Sequence, residues 1–405
     1  MKVAIADGDG WLKTAAEKQP GAARQPGRMT VNAAHFVTGA TGFVGSNLVL
    51  ELLGQQNARI YALVRPGQES ASVRLRNALM GSARAAGYGR SLDRAVEERC
   101  HAVEGNIEEK ACGVDALRLP RLTSFWHVAA SLRFEDRYAD EIYRANVEGT
   151  RNALALARQC RLDRYFNYVS TAYVAGCRTG LISEEITRGH ETNNHYESSK
   201  IQAEMLVNEE HGLPTRIYRP SIVIGHSRTY AVASGFTGLY GFMRRVLRLS
   251  QIMRRLQDGL AEQTDFQVIV DRGALMNLIP VDVVARQMVR ISRSAAGAKV
   301  YHITNPTPPS AGEVAGAIFQ ALDLKLPVFV RDTNRFTWLD RKLDEALGFY
   351  RSYFRSNKHF DRRNSDAALG HENEAGYRMD PGTLGSYIRW YAGVLRGSSA
   401  TAAAA

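Results

Sequence analysis

The stretch His35–Leu53, "HFVTGATGFVGSNLVLELL", sets Gly39, Gly42 and Gly45 between a short apolar run and an amphipathic one. The first run reads as a strand and the second as a helix, so the glycines stand where one hands over to the other. A glycine has no Cβ, and its backbone N–H can come close to a pyrophosphate at the positive end of the following helix. A Gly-rich turn without any ligand would show the same triplet, so the rest of the chain has to decide.

Outward from this stretch, short β-rich runs alternate with helical patterns. Strands are expected at 35–38, 59–65, 100–105, 124–129, 164–170, 215–225 and 299–304, and helices at 147–160 and 198–211 among others. Near-continuous apolar strands between helices predict a parallel sheet covered on both faces, an α/β fold of doubly wound, Rossmann type. Residues 1–34 read as a poorly ordered extension, with Met29 a candidate start just ahead of the first strand. A nucleotide-binding domain is expected over 35–225, and a substrate-lobe or lid insertion lacking strand alternation over 226–275. The chain then returns to the sheet over 276–304. A smaller, mostly helical C-terminal substrate lobe follows over 305–396, beginning with a capping box at Ser310 and Glu313. The stretch 397–405, "GSSATAAAA" from Gly397, reads as a disordered low-complexity tail.

Composition narrows the function classes. The chain has 405 residues, 45% hydrophobic and 23% charged, which is ordinary for a globular protein. It shows no membrane-length apolar run, no signal peptide and no CxxC spacing among Cys100, Cys112, Cys160 and Cys177. Free thiols and a cytoplasmic location are the expectation, and no residue is assigned to a metal. The net charge of +11 comes without a nucleic-acid motif or a block of basic residues, which favours phosphate-bearing ligands or acidic partners over nucleic acid.

Three side-chain groups carry candidate chemistry. Arg65 ends the second strand, where a dinucleotide fold normally places an acid against the ribose 2′-OH of NAD. A guanidinium there suits a 2′-phosphate, so Arg65, with Arg74 and Arg76 following, favours NADPH over NADH; a solvated strand-end arginine is the plainer alternative. Tyr196 and Lys200 lie one helical turn apart on one face, and a nearby ammonium is expected to lower the phenol's pKa. Ser170 and Thr171 offer adjacent hydroxyls at a strand end, where a parallel sheet opens its ligand crevice, or else serve as local backbone caps.

"TGATGFVG", Arg65, "HVAA" (127–130), Asn146 in "NVEGT", "VSTAYV", "YESSK" and "YRPSIVIG" fall in the order found in extended short-chain dehydrogenases/reductases. From about His35 to Thr304 the chain resembles this superfamily, and within it "VSTAYV" and "NLIPVDVVA" look most like thioester reductase domains and fatty acyl-CoA reductases, the male-sterility group. The resemblance implies a catalytic trio of Thr171, Tyr196 and Lys200. It implies a cofactor loop of Thr38, Gly39, Thr41, Gly42, Phe43, Val44 and Gly45, with Arg65 and Arg74 on the 2′-phosphate of NADPH. Ala129 and Ser170 would lie along the cofactor, and Pro220, Ser221, Ile222 and Val223 would flank the nicotinamide. "GNI" stands where relatives have "GDL", which puts Asn106 and Ile107 at the adenine.

The activity so implied is NADPH-dependent reduction of an acyl thioester on coenzyme A or an acidic carrier protein, to an aldehyde and on to an alcohol if a second hydride follows. The basic helix "GFMRRVLRLSQIMRRLQ" (241–257) offers a surface for such partners, or for contact with a membrane surface, or is a lid with a solvated face. The alternatives are a dehydrogenase of secondary alcohols or ketones with the same trio, and a non-catalytic NADP sensor.

Overall fold

Strand β1 (Ala34–Thr38) shows why the sheet must be covered twice. Phe36 belongs to the core on one face and Val37 to the core on the other, as the two-residue period of a strand requires. A computed structural model describes residues 33–403 apart from 55–56, 236–237, 349–350, 355–356, 371–376 and 378. The extension expected over 1–34 lies, up to residue 32, outside the described residues.

Beside β1 run β2 (Arg59–Val64), β3 (Cys100–Glu104), β4 (Ser124–His127), β5 (Phe166–Val169), β7 (Thr215–Pro220) and β11 (Val300–Ile303). The seven strands lie in the order β3-β2-β1-β4-β5-β7-β11 and every pairing is parallel. This is the doubly wound order, and its direction reverses between β1 and β4, where such sheets open a ligand crevice. Helices α1 (Phe43–Leu53), α2 (Ala71–Ala85) and α9 (Val281–Arg293) bury their apolar sides on one face. Helices α5 (Gly149–Gln159) and α6 (His195–Asn208) cover the other.

The run 215–225 does not form one strand. After Pro220 the chain leaves the main sheet, and β8 (Ile222–Ile224) pairs instead with β10 (Leu278–Pro280). The stretch 226–275 is not strand-free either. It holds β9 (Gln267–Ile269), paired with β12 (Val328–Val330), while β6 (Gly180–Ile182) pairs with β13 (Lys358–Phe360). Each of these strands has three residues, too few to print a two-residue period on the sequence.

Stretches 226–275 and 305–396, read as separate from the sequence, share one core. Phe242, Met243 and Val246 of α7 (Leu239–Leu256) pack with Val314 and Ile318 of α10 (Ala311–Ala321), Leu343 of α11 (Trp338–Leu347) and Ile388 of α13 (Pro381–Ala403). Helix α10 opens with the capping box at Ser310 and Glu313. Helix α13 carries the backbone as far as Ala403, through most of the stretch expected to be a disordered tail. Its alanines are the best helix formers, and they follow a helix already anchored by Leu384 and Tyr387. Together the described residues, 33–403, form one compact unit. No helix among the described residues is long and apolar enough to cross a membrane.

Two glycines test this packing in opposite directions. A Cβ on Gly45 would stand 2.0 Å from the carbonyl oxygen of Gly39, whereas one on Gly81, inside α2, would meet nothing within 4 Å. Gly81→Ala should therefore raise the urea unfolding free energy by about 0.5–1 kcal/mol, and Gly45→Ala should lower it by more than that. Similar shifts for the two variants would contradict the packing described.

Candidate active site

The β1–α1 turn owes its shape to its glycines. Gly39 adopts a left-handed φ of +73°, and a Cβ there would lie 2.6 Å from the backbone nitrogen of Ala129 on the neighbouring β4 end. Gly42 is the N-cap of α1 and, having no side chain, leaves the first N–H groups of the helix without a side-chain cap. Those groups open on a cavity of about 820 Å³, which runs from the carboxyl ends of the strands into the helical lobe.

Most of the residues picked out from the sequence meet on that cavity. Gly39, Thr41, Gly42, Phe43, Val44 and Gly45 line one end, with Arg65 and Arg74 beside them. Ile107, Ala129, Ser170, Thr171, Tyr196 and Lys200 form further wall, as do Pro220, Ser221, Ile222 and Val223. Three do not reach it. Thr38 is buried beneath the turn, where its Oγ1 accepts from the backbone N–H groups of Val128 and Ala129 and bonds His127. Asn106 turns its Oδ1 back onto the N–H of Glu108, and only its neighbour Ile107 faces the cavity. Arg76 points away to an ion pair with Glu97, 2.5 Å.

Arg65 and Arg74 form no ion pair among the described residues, and Arg74 donates to the Arg65 carbonyl, which folds the strand-end turn around its guanidinium. Two uncompensated cations beside an open helix N-terminus suit a ligand with more than one phosphate. Ser170 Oγ, buried in the same wall, has no hydrogen-bond partner among the described residues. The glycine cradle, the free guanidinia and this orphaned hydroxyl fit a phosphorylated dinucleotide.

The wall that holds Tyr196 and Lys200 is set by burial. Lys200 on α6 donates from Nζ to the Val169 carbonyl, 2.8 Å, and lies 4.3 Å from the centre of the Tyr168 ring. Burial pulls its pKa down to about 7, against the opposing pull of Glu204. The Tyr196 phenol does not follow the expectation of a lowered pKa. Burial raises it, the charge of Glu197 raises it further, and only a hydrogen bond with Thr171 works the other way. Thr171 Oγ1 also accepts from the N–H of Tyr173, so this hydroxyl is both a cap and a neighbour of the phenol.

Sequence reasoning missed several walls of the site. Phe134 sets its ring edge-on to Tyr196, centroids 5.4 Å apart. Its loop is held by Asn146, which accepts from the Ser131 N–H at 2.7 Å and donates to Ser199 Oγ at 2.9 Å. From the lobe come Leu239, Phe242, Met276, Tyr353 and Phe354. Tyr353 donates to the buried carboxylate of Glu197, 3.3 Å, and its ring meets Tyr173 edge-on. Nothing local marks them, since their partners lie far away along the chain; only the neighbour of Tyr196, Glu197, had a signal in its position.

A family model described as "Male sterility protein" matches residues 37–288, more than half of the chain, and the chain belongs to that family. It is 27% identical over 299 residues to a linear gramicidin synthase of Brevibacillus parabrevis, covering 70% of this chain and 5% of that protein. It is 25% identical over 350 residues to "Probable fatty acyl-CoA reductase 5" of Arabidopsis thaliana, covering 69% and 68% of the two chains. The chain thus spans only a small part of the synthase, and a quarter of a 28% identical aldehyde reductase from Aspergillus flavus. Among solved structures, the terminal R domain of the myxalamid PKS-NRPS pathway superposes with a TM-score of 0.69 at 26% identity, over 90% of this chain and 91% of that one. A UDP-glucuronic acid 4-epimerase from Bacillus cereus, at 15% identity and a TM-score of 0.58, shares the fold alone.

Lys200 makes the site's electrostatics measurable. With its pKa lowered to about 7, the folded protein binds fewer protons than the unfolded chain from there up to the ordinary lysine range. Stability from this group therefore rises with pH over that window. In cofactor-free protein, the urea midpoint of the wild type should gain on that of Lys200→Met between about pH 7 and about pH 9. A difference that stays constant with pH would contradict the buried lysine.

Proposed function

We propose that the chain is an NADPH-dependent oxidoreductase that reduces an acyl thioester to an aldehyde. The observation that carries this reading is the single cavity that joins the glycine turn and two uncompensated arginines to a largely apolar lobe compartment, with the half-buried Tyr196 and the buried Lys200 in its wall. The names of the relatives support a thioester rather than a ketone as the group reduced.

The N-terminus of α1 and the glycine turn would hold the pyrophosphate, Arg65 and Arg74 the 2′-phosphate, and Ala129, Ser170 and Pro220–Val223 the nicotinamide half. When bound, NADPH supplies the hydride. Tyr196 keeps its proton at neutral pH because burial and Glu197 both hold it there, so it enters as a general acid. It delivers that proton to the carbonyl oxygen as negative charge gathers on it, and the Thr171 hydroxyl donates to the same oxygen. Lys200, already close to losing its charge, orients the ligand from beneath rather than driving the phenol to phenolate. Collapse of the resulting hemithioacetal breaks the C–S bond and expels the thiol. Phe134 shields the phenol from water on its open side.

The carrier of the acyl group is proposed to be anionic, coenzyme A or an acidic carrier protein. Helix α7 turns Leu239 and Phe242 into the cavity while Arg244, Arg245, Arg248 and Arg255 stand exposed on its outer side. Arg254 is different: it is tied to Glu262 and the Leu322 carbonyl. Exposed arginines on the helix that lines the cavity favour the approach of a phosphorylated or acidic donor.

The test is NADPH oxidation with a panel of acyl thioesters and ketones, followed by mass analysis of the product. Thioesters should be turned over to aldehyde, and Tyr196→Phe should lower turnover by about 100-fold while still binding NADPH. Arg65→Ala should weaken NADPH far more than NADH. Reduction of ketones alone, or full activity of Tyr196→Phe, would overturn the reading.

A further inference from the structure

Behind the main cavity, inside the lobe, lies a second and much smaller one of about 20 Å³, room for roughly a single water. Its walls are largely apolar, with Val268 and Ile269 from β9, Phe319 from α10, and Leu343 and Leu347 from α11. At its edge stands the ion pair of Arg351 with Asp344. Two residues line both spaces, Phe242 of α7 and Phe354. Their rings lie 4.8 Å apart between centroids, tilted by 39°, and both are buried. The two rings are therefore the partition between the cavities.

On the near side the lobe offers Leu239, Met276 and the two rings, and no charged side chain among its described lining residues. A largely apolar lobe wall (Ser234 and Tyr353 are its polar members) that includes two aromatic rings, with unfilled apolar space behind them, can receive a hydrocarbon along it, as a tube would, and stop it at a given length. We infer that Phe242 and Phe354 are the length stop of the acyl chain. This rests on the acyl thioester reading above and adds to it the substrate class, an unbranched apolar acyl group whose far end meets these rings.

Each methylene buried along the tube contributes about fourfold to kcat/KM, because its transfer from water is worth that much. Beyond the stop, further methylenes must push the rings off their packed positions or bend back towards water, and the gain turns into a loss. Removing either ring joins the two spaces and moves the stop to the Leu343 and Leu347 wall.

The experiment measures kcat/KM for straight-chain acyl-CoA substrates from acetyl through octanoyl to stearoyl, in the wild type, Phe242→Ala and Phe354→Ala. Truncating a buried aromatic can unfold a domain, so Phe242→Leu and Phe354→Leu are measured alongside, with circular dichroism on every variant. The wild type should show a maximum followed by a fall. In folded variants, the ratio of the constant just beyond that maximum to the constant at it should rise by about fifteenfold, the worth of roughly two methylenes. A wild-type length profile in folded variants, or a uniform loss at every length, would overturn the stop and leave thioester reduction standing. A wild type that reduces no thioester of any length would overturn both.

Discussion

The arrangement depends on one close contact, the Cα of Gly45 against the carbonyl oxygen of Gly39. No side chain fits there, and the absence of one lets α1 start directly at the carboxyl end of β1. Gly39 also packs too closely against the backbone of Ala129 for any side chain, which fixes the end of β4 against the same turn. Thr38 completes the joint from below through His127, Val128 and Ala129. His127 stays neutral, its pKa pushed down to about 3 by burial, so it links Thr38 and Thr150 without bringing a charge under the site. The crevice at the reversal of strand order is thus a consequence of backbone contact, and the helix N-terminus opens on it because no side chain caps it.

Burial also decides the chemistry of the opposite wall. It favours the neutral form of both Tyr196 and Lys200, raising the phenol and lowering the amine. On the proposed function, a site held in that state would answer negative charge developing on a substrate oxygen with a proton already in place. Glu197 adds to the effect on Tyr196, and it also ties α6 to the lobe through Tyr353, so one carboxylate links the phenol's helix to the lobe wall of the cavity. The lobe is therefore part of the cavity wall rather than an appendage to the sheet.

Much of this was legible in the chain. The glycine spacing, the strand-end Arg65 and the order of "VSTAYV" before "YESSK" place the crevice and its trio, because these features are local and their geometry follows from one turn or one helix. What could not be read depends on distant partners. Thr38 and Asn106 look like ligand contacts by position, yet neighbouring backbone claims both side chains. A lysine one turn from a tyrosine suggests a lowered phenol, but that expectation holds for groups in contact with water, and burial with Glu197 reverses the sign. Phe242 sits on a helix that reads from the sequence as a basic surface or a lid, and its partner Phe354 follows more than a hundred residues later.

If this cavity brings a nicotinamide hydride and a thioester carbonyl together beside Tyr196, NADPH deuterated in turn on each face at C4, supplied with an acyl-CoA, will mark the aldehyde formed. Mass analysis of that aldehyde should show one deuterium at its carbonyl carbon from one labelled face and none from the other. An unlabelled aldehyde from both, or label from both alike, would rule out hydride transfer between them in this site.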